Sequence, residues 1–143
     1  MTAKEYLSKI QTYRRTVQTY ADRIEELYHD ASGLKAIVYD KDRVQVSPEN
    51  KLEKIFEKID REAEKYAKAR VQYEVEVQKR VDQIAGMDRP EYCEILRLRY
   101  VELEPDGNMK TLEQIACMMH RSYNNVKHLH GWALSAFQKQ YLS

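Results

Sequence analysis

The sequence predicts an all-α protein in which a long antiparallel helical hairpin, coiled-coil-like, is followed by a C-terminal helix-turn-helix bundle. Two long segments carry apolar residues at alternating steps of four and three, which is the spacing of a coiled-coil seam. A third segment, residues 111–137, divides into two short amphipathic helices joined by a tight turn. The length of 143 residues suits two small units, which we place at residues 1–86 and 87–143.

The first long helix is expected to begin near Tyr6 and to keep its apolar spacing for three heptads. Its seam residues are Tyr6, Ile10, Tyr13, Val17, Tyr20, Ile24 and Leu27. A helix of about 27 residues would be about 40 Å long. We expect Gly33 just past its end, because glycine readily adopts the left-handed conformation that closes many helices.

Residues 34–47 break the helical period and alternate apolar and polar residues around a charged centre. Two interpretations remain open here, an ordered loop and a small β-hairpin, although an isolated hairpin is only marginally stable in water. The second long helix is expected to begin with Ser47 as its N-cap and Pro48 at its first position, and to end at Gly86. The signals at the start of this helix are strong.

The seam of the second helix also follows steps of four and three. Its residues are Leu52, Phe56, Ile59, Ala63, Tyr66, Arg70, Tyr73, Val77, Arg80 and Ile84, and Ile55, Ala69 and Val81 broaden it. With roughly 38 residues, this helix would outrun the first by about 15 Å or more. The surplus would need a cover, either from the C-terminal unit or from a second copy of the chain, and the second possibility predicts a homodimer or higher homo-oligomer.

Residues 111–137 show the pattern of a helix-turn-helix motif, preceded by a helix that is expected to begin at Pro90. Thr111 followed by Gln114 forms a capping box, and Ser122 can cap the second helix. The apolar stripes are Leu112, Ile115, Ala116 and Met119 on the first helix, and Val126, Leu129, Ala133 and Phe137 on the second. In this motif the second helix enters the major groove of DNA.

Polar residues occupy the side of the second helix that lies opposite Val126. Asn124 can pair with adenine, Lys127 can reach guanine or phosphate, and Tyr123 can contact a thymine methyl or a phosphate. Trp132 falls at the flank of this helix, on neither the core side nor the DNA face, where it could pack on the helical hairpin. The pattern therefore indicates a DNA-binding face, with a protein-docking module of the same shape as the alternative.

The motif residues also resemble region four of bacterial sigma factors, the module that reads the promoter −35 element. The matching residues are Thr111, Leu112, Ile115, Ala116, Ser122, Val126, Leu129, Ala133, Leu134 and Phe137. Residues 96–100 resemble the preceding helix of that module, and the whole chain is similar to small phage and prophage regulators, including the ArpU-type late-gene regulators. The sequence departs from the pattern at His120, where glycine is common, and at Arg121, where an apolar residue is usual.

The resemblance implies a sequence-specific transcriptional regulator that binds duplex DNA, with RNA polymerase as a further partner. The base-reading residues it implies are Tyr123, Asn124, Asn125, Lys127 and His128. The residues expected near phosphates are Thr111, Gln114, Arg121 and Ser122.

Charge gives weaker support, since 24 Lys and Arg residues stand against 23 Asp and Glu residues. From Gly107 onward, however, four basic residues and one acidic residue give a local charge of +3 before histidines are counted. The first residues do not resemble a secretion signal, and no apolar run approaches the roughly 20 residues of a membrane span, so we expect a cytoplasmic protein without membrane contact. Its two cysteines are expected to be reduced thiols.

Neither a metal site nor an active site is expected. His128 and His130 are two residues apart on one helix, hence about 160° apart around it, so they cannot converge with Cys117 and His120 on one zinc ion. His130 is instead expected at the edge of the core and His128 at the surface. No glycine-rich phosphate loop is present, and the carboxylates follow solvated helical faces, so no cofactor and no catalytic residues are predicted.

Overall fold

The computed structural model describes residues 1–38 and 48–143, and it confirms the all-α prediction. The α-helices of these residues are α1 (Ala3–Val38), α2 (Pro48–Ala85), α3 (Pro90–Leu96), α4 (Leu112–Met119) and α5 (Tyr123–Phe137). The ends of α3 and α5 widen into π-helical segments, Arg97–Val101 and Gln138–Leu142. The predicted start of α3 at Pro90 is confirmed, and α2, which is helical from the first described residue after the gap, ends one residue before Gly86.

The first helix is longer than predicted. α1 has 36 residues and α2 has 38, so the expected difference of about 15 Å is wrong, and two residues correspond to about 3 Å. Gly33 lies inside α1 and does not end it, because the following Leu34, Lys35 and Ala36 favour a helix enough to offset the cost of one glycine. Residues 34–38 are therefore helical, while the rest of the predicted loop or hairpin, residues 39–47 with Ser47, lies outside the described residues.

The described residues form two compact units. One consists of Met1–Arg15 and Gln72–Ser143, and the other of Thr16–Val71. The unit that holds the C-terminal helices thus includes the first four turns of α1 and the last four of α2, whereas the sequence placed a boundary at residue 86. In the first unit α1 and α2 run antiparallel, since Tyr6 bonds Gln83 and the later Tyr13 lies beside the earlier Arg80. In the second unit Arg23 of α1 pairs with Glu62 of α2.

The Thr16–Val71 unit is held by one stripe from each helix. On α1 the stripe is as predicted, with Val17, Tyr20, Ile24 and Leu27 half-buried. On α2 the heptad phase is partly wrong: the predicted Phe56, Ala63 and Arg70 are exposed. The preceding residues, Ile55, Glu62 and Ala69, are half-buried instead. Of these, Ile55 and Ala69 were expected to broaden the seam, and Glu62 was not predicted. Both phases share Leu52, Ile59 and Tyr66, and the observed one leaves Arg70 exposed, where its Nη1 donates to the Tyr66 hydroxyl at 3.0 Å.

The other unit has a densely buried core. It is formed by Leu7 and Ile10 of α1, Ile84 of α2, Ile95, Leu96 and Tyr100 after Pro90, and Ile115, Val126, Leu129 and Phe137 of the predicted helix-turn-helix. Leu7 is fully buried although it lies outside the predicted seam, because in this unit α1 is covered on a second side. Full burial of a Leu or Ile side chain contributes about 1.5–3 kcal/mol.

One buried charge joins α1 and α2 in this unit. Arg80 is 2% exposed; its Nε donates to the Tyr6 carbonyl at 2.9 Å, and its Nη1 donates to the Glu76 carboxylate at 2.8 Å. Its guanidinium also lies 4.0 Å from the centre of the Tyr6 ring. The hydrogen bond and charge of Arg80 lower the pKa of Glu76. A buried charge is tolerated here because its donors are paired and an aromatic face covers it.

α1 also holds the loop that leads into α4. The Gln11 side chain donates to the Gly107 carbonyl at 2.9 Å, and Arg14 donates to the carbonyls of Glu104 and Pro105 at 3.1 and 3.2 Å. Gly107 itself has a φ of 88°, a conformation that favours glycine. These contacts fix the start of the helix-turn-helix. They could not be predicted from the apolar periodicity of the sequence.

Candidate nucleic-acid interface

The predicted capping box at the start of α4 is present. The backbone amide of Gln114 donates to Thr111 Oγ1 at 3.2 Å, and the backbone amide of Thr111 donates to Gln114 Oε1 at 2.8 Å. Two amides that the helix leaves without partners are thereby satisfied. The side chains of Thr111 and Gln114 remain exposed, so both predicted phosphate contacts lie at the surface of the helix start.

The turn between α4 and α5 is closed by His120. Its backbone is left-handed, with φ 56° and ψ 43°, and it is the one non-glycine residue with positive φ in residues 1–38 and 48–143. His120 thus adopts the conformation that glycine would supply, which histidine does more readily than most residues. The next amide, that of Arg121, donates to the Ala116 carbonyl at 3.0 Å and tightens the turn.

α5 begins at a second side-chain cap and buries the predicted stripe. The backbone amide of Asn125 donates to Ser122 Oγ at 3.1 Å. Val126, Leu129, Ala133 and Phe137 are all buried. Since one side of α5 is committed to the core, the opposite side is fixed by helical geometry and points to solvent.

All nine predicted DNA contacts are exposed in the structure. They are Thr111, Gln114, Arg121, Ser122, Tyr123, Asn124, Asn125, Lys127 and His128. The side chains of Asn124 and Lys127 make no intrachain hydrogen bond or ion pair within the described part of the chain, so their polar groups are available to a ligand. Asn125 differs, because its Oδ1 accepts a hydrogen bond from Arg121 Nη1 at 3.0 Å, and Asn125 therefore orients Arg121.

His128 and Trp132 form an aromatic pair beside this face. Their ring centroids are 6.0 Å apart and the ring planes differ by 25°. Trp132 is 57% exposed, so the interpretation that it packs on the helical hairpin is wrong. Sequence reasoning did not include Trp132 among the contact residues, although its position four residues after His128 is the available signal.

The surface of α5 is free of negative charge. No acidic residue occurs between Tyr123 and Leu142, and Glu113 is the one acidic residue after Gly107 in the sequence. Lys110 is drawn back to the chain, since its Nζ donates to the Glu102 carbonyl. The cation at the centre of the candidate face is therefore Lys127, with Arg121 at the edge.

His130 supports α5 from behind, as the sequence predicted for a histidine at the edge of the core. Its Nε2 lies 2.9 Å from the Tyr100 hydroxyl, and the two rings stack with centroids 5.7 Å apart. Burial, with the charges of Arg99 and Lys4, lowers the pKa of His130 from 6.5 to about 4. Burial also raises the pKa of Tyr100 to about 12, so both groups are neutral at pH 7.

Among residues 1–38 and 48–143, no three His, Cys, Asp or Glu side chains are grouped so that they could hold a metal ion. Cys117 is exposed, whereas Cys93 is half-buried and its thiol donates to the Ile84 carbonyl. In the same described ranges, none of the helices combines the length and apolar character that crossing a membrane requires. The chain matches no protein-family model, no curated protein and no solved structure.

Proposed function

We propose that this chain is a non-enzymatic transcriptional regulator of the phage or prophage type, which binds duplex DNA in a sequence-specific manner through α5. The observation that carries the proposal is the outward face of α5, where the side chains of Asn124 and Lys127 lack intrachain partners among the described residues. This face belongs to a helix that is capped at its start and preceded by a capped helix and a tight turn. Such a unit presents a helix to the major groove.

The contacts divide into base reading and positioning. Asn124 supplies the donor and acceptor pair that matches an adenine edge, and Lys127 supplies a cation for guanine acceptors. Arg121, oriented by Asn125, is suited to a phosphate at the groove edge, as are the helix starts at Thr111 and Ser122. In this arrangement Asn125 acts through Arg121, while the sequence had assigned it to a base.

A single copy of this motif should bind weakly, because a local charge of +3 neutralises few phosphates. A second set of contacts would come from another copy of the chain or from RNA polymerase. Paired half-sites would show which one applies: moving one half-site by about 5 bp, half a helical turn, should abolish tight binding by a rigid dimer. Unchanged affinity would favour recruitment by the polymerase.

The alternative is a coiled-coil interaction protein whose C-terminal bundle docks a protein partner. The exposed side chains of Met118, Tyr123 and Trp132 favour it, since apolar surface of this kind also suits protein contacts. DNA is the stronger candidate because the centre of the face is polar and because α5 lacks acidic residues.

The proposal is tested with a duplex selected from a randomised library by the full chain. Asn124→Ala and Lys127→Ala should each weaken binding about 5- to 100-fold, the range expected for loss of a good base contact. Lys54→Ala removes the same charge from the exposed surface of α2 and should leave affinity within about twofold. Failure to select any duplex at low salt, or equal effects of Lys54→Ala and Lys127→Ala, would favour the docking alternative.

A further inference from the structure

The aromatic pair on α5 holds a large apolar ring outside the core. Trp132 is the chain's only tryptophan, and more than half of its surface is accessible. It follows His128 by four residues, so the two side chains leave the same side of α5 and their rings stack. A helical side chain leans toward the N-terminus of its helix, so the indole is carried toward the half of α5 that holds Asn124.

The two edges of the outward face of α5 therefore carry side chains of different chemistry. At about 100° per residue, Lys127 lies about 100° to one side of Val126, and Trp132 lies about 120° to the other side. Asn124 and His128 lie between these flanks. One flank is thus cationic and the other aromatic, and neither is crossed by an acidic side chain from α5.

The major groove offers one apolar group to such an aromatic flank. Base edges there are hydrogen-bond donors and acceptors, with the exception of the C5 methyl group of thymine. From Asn124 to Trp132 is eight residues, or about 12 Å along the helix, and for a helix that follows the groove this corresponds to about three or four base-pair steps. An aromatic residue at that distance would meet a base pair close to the one that Asn124 contacts.

We infer that Trp132, held in place by His128, is a specificity-determining residue that contacts the C5 methyl of a thymine. The thymine lies about three or four base pairs from the base read by Asn124. This inference rests on the proposed function, because it requires α5 to lie in the major groove. It adds Trp132 to the residues that contact bases, and it names the thymine methyl as the group that Trp132 contacts.

The test replaces thymine by uracil, one position at a time, in the duplex selected by the full chain. This change removes the methyl group and leaves the base-pairing edge intact. At one of the positions, replacement by uracil should weaken binding of the wild-type protein about fourfold, which corresponds to about 0.8 kcal/mol for one buried methyl group. Trp132→Ala should bind the thymine duplex about fourfold more weakly and should no longer distinguish it from the uracil duplex.

Trp132→Phe, which keeps an apolar ring, should retain part of the discrimination, and circular dichroism checks that each variant is folded. The inference is overturned if uracil has no effect at any position, or if Trp132→Ala weakens the thymine and uracil duplexes equally while still distinguishing them. In either case Asn124→Ala and Lys127→Ala would still weaken binding. If these two variants also bind normally, the proposed function itself has failed.

Discussion

α1 passes through two units that bury it very differently, and the comparison explains where the sequence was informative. In Met1–Arg15 its residues join a core with several neighbours, and Leu7 and Ile10 are 0% and 1% exposed. In Thr16–Val71 it packs in a two-helix unit, and its seam residues are only half-buried. The same heptad pattern therefore contributes less burial per residue in the second unit, since two helices cover only one side of each other.

Matched substitutions on α1 should give the largest difference between the units. Ile10→Ala removes a fully buried side chain and should cost about 2–5 kcal/mol of unfolding free energy. Ile24→Ala removes the same atoms from a half-buried position of the same helix, so we expect about 1 kcal/mol. Denaturant unfolding measures both values, and equal losses would show that the two units are not distinguished by burial.

A pH titration should affect the unit that contains α5. The pKa of His130 is lowered to about 4 in the folded chain from 6.5, so between these pH values the unfolded chain binds a proton that the folded chain does not. The stability that the neutral His130 contributes should be fully present above pH 6.5. As the pH falls toward 4, the unfolding free energy should decrease by at most about 1.4 kcal/mol per pH unit because of this group.

The control variants separate His130 from general weakening. His130→Gln should reduce the slope of unfolding free energy against pH, whereas Ile24→Ala should be less stable at every pH and keep the slope. Hydrogen exchange at α5 amides shows whether the loss occurs in this unit. A His130→Gln protein with the wild-type slope would contradict the lowered pKa.

The two units also show how far the sequence could predict the structure. Helix ends with local chemistry were predictable: Pro90 starts α3, and the caps at Thr111 and Ser122 start α4 and α5. The phase of α2 was not, because Ile55 and Phe56 are both apolar and only the packing of α1 selects between them. The end of α1 was wrong because one glycine, Gly33, is a weak signal inside strong helix formers.

The candidate face could be predicted because a buried stripe leaves the opposite side of α5 to solvent. Its fine contacts could not. The Arg121–Asn125 hydrogen bond and the His128–Trp132 stack depend on side-chain rotamers, and the bonds from Gln11 and Arg14 to the loop before α4 join residues about 90 or more positions apart. Such contacts carry no periodic pattern.

The central claim, that the outward face of α5 binds DNA, is tested most directly by placing bulk on that face. Gly131 is exposed, and a Cβ there would meet no atom within 4 Å, as is also true of Gly33 in α1. Gly131→Ala and Gly33→Ala should both stabilise the helices, by about 0.5–1 kcal/mol.

Gly131→Phe should fold like wild type yet bind the selected duplex at least about tenfold more weakly, a loss of about 1.4 kcal/mol. A folded Gly131→Phe protein with unchanged affinity, equal to that of Gly33→Phe, would contradict the account.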